Sequence, residues 1–387
     1  MSFIAQSFTA AMMFSPAVLA PVVSRQIGFP ATMVGVVTAL IYFSAAISAP
    51  AAGGYVARLG AVRMTQFCLL LSGGGLALTT WGHPAAVVFG ALLIGMGYGP
   101  STPAGSVLLS HHSPERFRNI VMSVRQTGVT LGGALVGIIL PWLMNFVHWQ
   151  SAVWICAGFG LLVAVAMEPL RKRLDQPLKE AAHRSSNLIE TLSLLKKEPA
   201  LLKISILAFV YGGVQLTFTS FLVVFLLSRT PLTVIQAGAL MSVSMLSGLI
   251  SRLLWGAVAD YCRNAKVVLM VLGLSMMVCA LLMTQVTAQW SFLSLCVLTA
   301  CFGASCLGWN GVYVGEISRI APTGQVAVWV GGSLFFAYMG AMVMQSLVVA
   351  VHQYSGGYNV VFLMIALLGL TGSVCAGQSL REDRLKP

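Results

Sequence analysis

Two arginines stand inside stretches of this sequence that are otherwise apolar and long enough to cross a membrane. They are Arg125 and Arg252, each more than a turn away from the nearest loop. An arginine at that depth can snorkel to the headgroups, but an ionisable residue within a span usually faces a cavity and marks a substrate path. A guanidinium matches the planar geometry of a carboxylate. The two arginines therefore predict a binding site for an anion.

The acidic residues are placed differently. All 10 lie in loops or near the ends of predicted spans, so no carboxylate is expected at the centre of the membrane. An acid at that depth is what proton relays in pumps and transporters use. Its absence favours an anionic substrate over a cationic drug, and no metal or cofactor site is expected.

Further polar and aromatic residues within the spans could line the same site. For each of them a hydrogen bond between helices is as reasonable as contact with a ligand, because a buried amide must find a partner at membrane depth. We favour Gln215 and Asn310 as a pair, and aromatic neighbours would suit an aromatic or short aliphatic acid. In addition to the two arginines, the candidates are Gln6, Thr9, Tyr42, Gln126, Tyr211, Gln215, Trp309, Asn310 and Tyr338.

The composition decides which class of protein must hold these side chains. The chain has 387 residues, of which 58% are hydrophobic and 8% charged, whereas soluble domains carry about 25% charged residues. Most of the surface must therefore meet lipid. This excludes a cytosolic enzyme, a disulfide scaffold, a disordered chain and, despite the net charge of +12, a nucleic-acid-binding protein.

The apolar runs predict an all-α membrane protein with about twelve helices, since a span needs roughly 20 residues. The first run lacks a basic segment before it, which favours a retained helix over a cleaved signal. The predicted spans are 4–23, 31–52, 64–81, 85–109, 120–145, 151–168, 202–228, 233–258, 266–287, 290–314, 325–350 and 359–379.

A polar stretch divides these spans into two groups of six. It predicts three parts: an N-terminal bundle over 1–168, a linker over 169–200 and a C-terminal bundle over 201–387. Within the linker, 186–197 has a helical pattern typical of a helix lying on the membrane surface, although a featureless tether fits equally well.

Positive charge predicts the orientation. With both termini in the cytoplasm, all but four of the 22 lysines and arginines fall on the cytoplasmic side. The four are Arg25 and Arg229 in outer loops, and Arg125 and Arg252 within spans. This strong positive-inside bias predicts the orientation of a multi-pass protein in a lipid bilayer, which we expect to be the bacterial inner membrane.

Two similar segments follow spans two and eight: GGYVARLGAVR from Gly53 and GAVADYCR from Gly256. Both resemble the loop signature G-x-L-A-D-R-x-G-R-R of the major facilitator superfamily, which recurs once in each six-helix half. The first copy has Ala57 where the family has Asp, and the second keeps Asp260. The resemblance covers the whole chain and implies two pseudo-symmetric six-helix bundles and alternating access.

The same resemblance implies a gate. A carboxylate at a helix end can pair with arginines or with the N-terminus of a neighbouring helix, so Asp260 is the expected gating acid, with Arg116 or Arg118 as its partner. Arg58 and Arg63 follow the first copy; they could belong to the gate or serve only to hold the topology.

Two local resemblances involve the arginines. Arg252 stands one turn before Gly256, as a substrate-binding arginine does in monocarboxylate porters, while the run from Arg125 to Gly133 is similar to cyanate- and nitroimidazole-type permeases. From the two arginines and the absence of a central acid, we expect a monomeric secondary transporter of a small organic anion, a monocarboxylate above all, working by proton symport or anion exchange. Efflux of drugs or amphipathic compounds, and an anion sensor that does not transport, are the alternatives.

Overall fold

The computed structural model describes residues 1–27, 33–175, 193, 197–355 and 357–385. Every regular element in these ranges is helical. The helices are α1 (Ser2–Ile27), α2 (Met33–Leu59), α3 (Ala61–Leu78), α4 (Pro84–His112), α5 (Arg118–Leu143), α6 (Trp149–Ala166), α7 (Glu168–Leu174), α8 (Pro199–Arg229), α9 (Val234–Tyr261), α10 (Ala265–Thr284), α11 (Phe292–Cys306), α12 (Trp309–Ile320), α13 (Val326–Ser355) and α14 (Tyr358–Leu385).

Within the described ranges, 12 helical segments are long and apolar enough to cross a membrane, with a mean hydropathy from 1.3 to 2.5. They coincide with the predicted spans and confirm an all-α membrane fold. The tenth span consists of two helices, α11 and α12, and the short helix α7 is not a span. Most of the predicted surface helix over 186–197 lies outside the described residues.

By its internal contacts the chain divides into two units. The first comprises Met1–Pro114, Arg125–Lys197 and Ile317–Phe335; the second comprises Glu115–Val124, Glu198–Glu316 and Phe336–Pro387. The start of α5 thus packs with helices of the second unit, and the start of α13 packs with helices of the first. The bundle boundaries expected from the sequence stay a prediction.

The same pairing of helices occurs twice. In the first unit α2 packs on α4 and α3 packs on α6, while in the second unit α9 packs on α11 and α10 packs on α14. These pairs join spans two and four, three and six, eight and ten, and nine and twelve. The repetition is that of two pseudo-symmetric bundles, as the sequence predicts.

The tenth span is interrupted in its middle. Helix α11 ends at Cys306 and α12 begins at Trp309, although the apolar run continues through both. Leu307 and Gly308 lie between them, and the Leu307 N–H still donates to the Gly303 carbonyl at 3.0 Å. Because the next helix starts afresh, the carbonyl of Leu307 is available to a side chain. A break of this kind is where transporters place binding groups.

Candidate functional site

Arg125 is buried in the first unit, with 3% of its surface exposed. Its Nε donates to Ser2 Oγ at 3.0 Å, and its Nη2 donates to Gln6 Oε1 and to the Ser101 carbonyl, both at 2.6 Å. Gly105 makes room for this arrangement, because a Cβ at that position would collide with the guanidinium. The acceptors of these three hydrogen bonds are uncharged oxygens, and together they fix the orientation of the guanidinium.

Gln6 adds a surplus donor beside Arg125. Its Oε1 accepts from Arg125 and, at 3.3 Å, from Ser101 Oγ. Its Nε2 is buried and has no hydrogen-bond partner in the described part of the chain. A buried amide donor left unpaired is unfavourable by about 1–3 kcal/mol. The cluster of Arg125 and Gln6 therefore presents positive charge and an unused N–H, which suits an oxyanion.

Gln126 belongs to the same cluster. Arg125 Nη1 donates to Gln126 Oε1 at 3.3 Å, and Gln126 is itself only 5% exposed. The structure thus brings together three of the residues considered from the sequence: Arg125, Gln126 and Gln6. Tyr42, on α2 of the same unit, is half-buried.

Arg252 is the buried arginine of the second unit, also 3% exposed. Its Nε donates to the Leu307 carbonyl at 2.8 Å, which is the carbonyl left open by the break between α11 and α12. The expected cation therefore sits at the interruption of the tenth span. Its position joins α9 to the middle of a discontinuous helix.

An amide cluster, made of Gln215, Trp309 and Asn310, lies at the start of α12, just after the same break. Gln215 Oε1 accepts from Trp309 Nε1 at 3.0 Å and from Asn310 Nδ2 at 2.9 Å. Gln215 lies on α8, while Trp309 and Asn310 are the first two residues of α12. The pair favoured from the sequence, Gln215 and Asn310, is thus directly hydrogen-bonded.

Trp309 is enclosed rather than open to a ligand. It is 1% exposed, and its ring meets the edges of Tyr211 at 5.7 Å and Tyr313 at 5.0 Å between centroids. The Tyr211 hydroxyl donates to the Leu269 carbonyl at 2.7 Å, so Tyr211 is held by α10. Tyr338, on α13, is 8% exposed.

Asp260 occupies the N-terminus of α5. Its two carboxylate oxygens accept from the backbone N–H groups of Asn119 at 3.0 Å and Ile120 at 2.9 Å. Of the two partners expected for this acid, the helix N-terminus is the one found. Arg118 bonds Glu115 instead, at 3.3 Å.

Arg63 and Arg58 differ in their surroundings. Arg63 Nη1 bonds Glu168 Oε2 at 3.1 Å and Gln66 Oε1 at 3.0 Å, which ties the start of α3 to α7. Arg58 is exposed at the end of α2 and has no side-chain partner in the described residues. Arg63 therefore has a structural contact that Arg58 lacks.

Helix α3 is capped by a carboxylate whose role the sequence did not predict. Asp175 Oδ1 accepts from the Val62 N–H at 2.8 Å and its Oδ2 accepts from the Arg63 N–H at 3.0 Å. Gly60 has φ +91°, a conformation that favours glycine, and a Cβ there would collide with the Asp175 carboxylate. The lone Gly60 was the available signal, but the acid that fills its space is too distant in sequence to be found from it.

A buried ion pair was also missed. Lys266 Nζ lies 3.8 Å from Glu316 Oε1, with side chains 6% and 1% exposed. Glu316 does lie near the end of its helix, as expected, yet it is enclosed there rather than placed at the surface. Its helix position alone gave no sign of the lysine on α10.

The chain was compared with known sequences. A family model of the Major Facilitator Superfamily matches residues 2–319. A gallate transporter of Pseudomonas putida is 30% identical over 175 residues, which cover 44% of this chain and 34% of that protein. The 4-hydroxybenzoate transporter PcaK of Acinetobacter baylyi is 27% identical over 160 residues, which cover 41% of this chain and 34% of that protein. The chain thus spans 34% of the length of each of these relatives.

Solved structures share the fold over almost the whole chain. The human organic anion transporter MFSD10 gives a TM-score of 0.74 at 16% identity, covering 97% of this chain and 99% of that chain. The E. coli fucose:proton symporter FucP gives 0.72 at 16% identity, covering 98% and 99%. At this identity the likeness shows the fold alone. The family match, together with the 12 helical segments that could cross a membrane in the described ranges, indicates a multi-pass membrane protein: the chain belongs to the Major Facilitator Superfamily.

Proposed function

We propose that this protein carries a small organic anion, most simply a monocarboxylate, across the bacterial inner membrane by alternating access. The observation that carries the proposal is the Arg125 cluster, where a buried guanidinium bonded to uncharged oxygens adjoins the unpaired Nε2 of Gln6. A carboxylate would accept from such donors, since charge-assisted hydrogen bonds are the strong ones. Transport would run by proton symport or by anion exchange.

The second arginine supports the same class of substrate. Arg252 is as buried as Arg125 and bonds a backbone carbonyl at a helix break. Each unit thus holds one of the two buried arginines. We assign substrate binding to Arg252 and Arg125, assisted by Gln126, Gln215, Asn310, Tyr42 and Tyr338. Trp309, which is enclosed, acts on the substrate only through its hydrogen bond to Gln215.

Two relatives agree with this substrate class. One is named a gallate transporter and the other a 4-hydroxybenzoate transporter, and both names describe aromatic carboxylates. Because each match covers only part of the relative, the names support an organic anion without choosing one. The positive-inside bias supports cytoplasmic termini.

Gating is proposed for the contact between Asp260 and the α5 N-terminus. A carboxylate at a helix N-terminus is favoured by the helix dipole, and this contact can break without a covalent change. Arg63, Arg58 and Arg118 stay predicted gate residues. The bond from Arg63 to Glu168 on α7 lies within the first unit.

The test is counterflow in proteoliposomes with labelled aromatic and short aliphatic carboxylates, each paired with its uncharged amide. Wild type is compared with Arg125→Gln and Arg252→Gln. The matched control is Arg229→Gln, since Arg229 bonds Asn359 at the end of α8. We expect saturable exchange of an acid but not of its amide, lost in the first two variants and kept in the control.

Two results would overturn the proposal. One is exchange of acid and amide alike with no dependence on either arginine, which would point to efflux of uncharged compounds. The other is binding of an acid without any flux, which would indicate a sensor.

A further inference from the structure

The amides of Gln215 and Asn310 have a fixed orientation. The indole N–H of Trp309 can only donate, so the Gln215 atom that it meets at 3.0 Å must be the carbonyl Oε1. Asn310 reaches the same oxygen at 2.9 Å and must therefore turn its Nδ2 toward it. The choice of oxygen and nitrogen in each amide, which is otherwise ambiguous, follows from one donor-only neighbour.

This orientation leaves one donor and one acceptor on two amides that are bonded to each other. Gln215 Nε2 and Asn310 Oδ1 have no hydrogen-bond partner in the part of the chain that the structure describes, and neither atom is fully enclosed. Both residues are half-buried. At membrane depth such groups need a partner, and here the partner can come from a ligand.

A hydroxyl group is the chemical match. Its oxygen can accept from Gln215 Nε2 while its hydrogen donates to Asn310 Oδ1, whereas a carboxylate or an ether only accepts and an ammonium only donates. We propose that Gln215 and Asn310 bind a hydroxyl group of the substrate, so that the transported anion is a hydroxycarboxylic acid. The inference rests on the proposed function and names a substrate class within it.

Trp309 is the positioning residue of this subsite. It is enclosed between Tyr211 and Tyr313 and reaches the ligand only through the Gln215 carbonyl. Fixing that carbonyl turns the amide donor outward. A site built to bind a hydroxyl rejects an analogue that lacks it, because its own polar groups are then left unpaired.

The first experiment needs only wild type. Uptake into proteoliposomes is compared for 4-hydroxybenzoate, benzoate and 4-methoxybenzoate, and for lactate and propionate. We expect the hydroxy acid of at least one series to be preferred about tenfold, which corresponds to one hydrogen bond, with the methoxy compound behaving like benzoate because it cannot donate. Equal uptake within both series would overturn the inference while leaving anion transport in place. No uptake of any acid would remove the proposed function itself, and the inference with it.

Variants then locate the preference. Asn310→Leu and Gln215→Met remove the two amides, and we expect each to bring the ratio of hydroxy to unsubstituted acid close to one, because uptake of the hydroxy acid falls more than uptake of the unsubstituted acid. Trp309→Phe should lower the same ratio, although the Trp309 side chain does not contact the substrate, because the donor that orients Gln215 is lost. The control is Gln345→Met, because Gln345 is a half-buried amide of the same unit that bonds Leu216 and Ser220 instead. A variant that lowers the uptake of both acids by one common factor would contradict the assignment.

Discussion

Asp260 holds Asn119 by two hydrogen bonds to one carboxylate oxygen: Oδ1 accepts from the backbone N–H at 3.0 Å and from the side-chain Nδ2 at 2.7 Å. Oδ2 accepts from the next N–H, that of Ile120, at 2.9 Å. The first turn of a helix has no internal acceptors for these groups. Asp260 therefore caps α5 with a charge of the favourable sign, from a helix that is remote in sequence.

We expect Asp260→Asn to loosen this cap. An asparagine amide keeps only one acceptor oxygen and carries no charge. The hydrogen bonding to the other carboxylate oxygen and the charge are therefore lost, which should destabilise the cap by about 1–2 kcal/mol. The amides of Asn119 and Ile120 should then exchange with deuterium about five to thirty times faster. Exchange of the peptide that covers 115–124 measures this. Glu115→Gln is the control, because Glu115 contacts only the Arg118 side chain in that segment, and an unchanged rate in Asp260→Asn would argue against a capping role.

The glycines that face Ser123 give a second prediction. A Cβ on Gly311 would collide with the Ser123 Oγ and backbone, so Gly311→Ala should push α5 from α12 and lower stability by about 1–3 kcal/mol. Thermal unfolding in detergent measures the change. The control is Gly238→Ala, where a Cβ meets nothing within 4 Å and the alanine should be neutral or slightly stabilising. Equal melting temperatures for the two variants would show that α5 can move aside freely.

The buried ion pair of Lys266 and Glu316 gives a third prediction. Replacing one partner breaks a buried ion pair, which typically costs about 3–5 kcal/mol. We expect Lys266→Met and Glu316→Gln each to be strongly destabilising, and the double variant to lose less than the two singles together. A double-mutant cycle of unfolding free energies checks this, and strictly additive losses would show that the two side chains act independently.

The carboxyl group of Glu168 gives the pH-dependent prediction. The hydrogen bond from Gln66, followed by the bond and charge of Arg171 and the charge of Arg63, holds the pKa of Glu168 below its usual value of 4.5. A lowered pKa in the folded state contributes stability above the unfolded value, and this contribution is lost as the pH falls through the folded value. The effect is small because 41% of the Glu168 side chain is exposed.

Melting temperatures measured from about pH 7 down to about pH 3.5 test this. Wild type should lose stability below about pH 4.5 more steeply than Glu168→Gln. The exposed acid Glu198, which makes no side-chain cap hydrogen bond at α8, provides the control as Glu198→Gln. Parallel curves for wild type and Glu168→Gln would contradict the assignment.

The helices could be read from the sequence because each span must satisfy its own backbone in lipid and must be long and apolar. The contacts between helices could not. Asp175 caps α3 and Lys266 meets Glu316 through packing of segments far apart in the chain, and hydropathy carries no information on such pairs. The break at Leu307 is hidden for a related reason, since the apolar run continues across it.

The candidate site could be predicted from the sequence only in part. The sequence placed Arg125 and Arg252 inside apolar runs but left open whether they reach the headgroups or a cavity. The need of amides for partners favoured Gln215 with Asn310. Which atom bonds which did not follow. The role of Trp309 shows this best, because an aromatic residue expected beside the ligand proves to be an enclosed donor to Gln215.

The broken tenth span has a structural consequence. Helix α11 has 15 residues and α12 has 12, so at 1.5 Å per residue they extend about 22 and 18 Å, short of the roughly 30 Å of a bilayer core. Neither piece alone spans the membrane, so the tenth span crosses it only through both pieces together. The joint places Asn310 at a helix end, where backbone groups lack helical partners. A substrate held by Asn310 would therefore lie at the seam of two half-length helices rather than against an unbroken one.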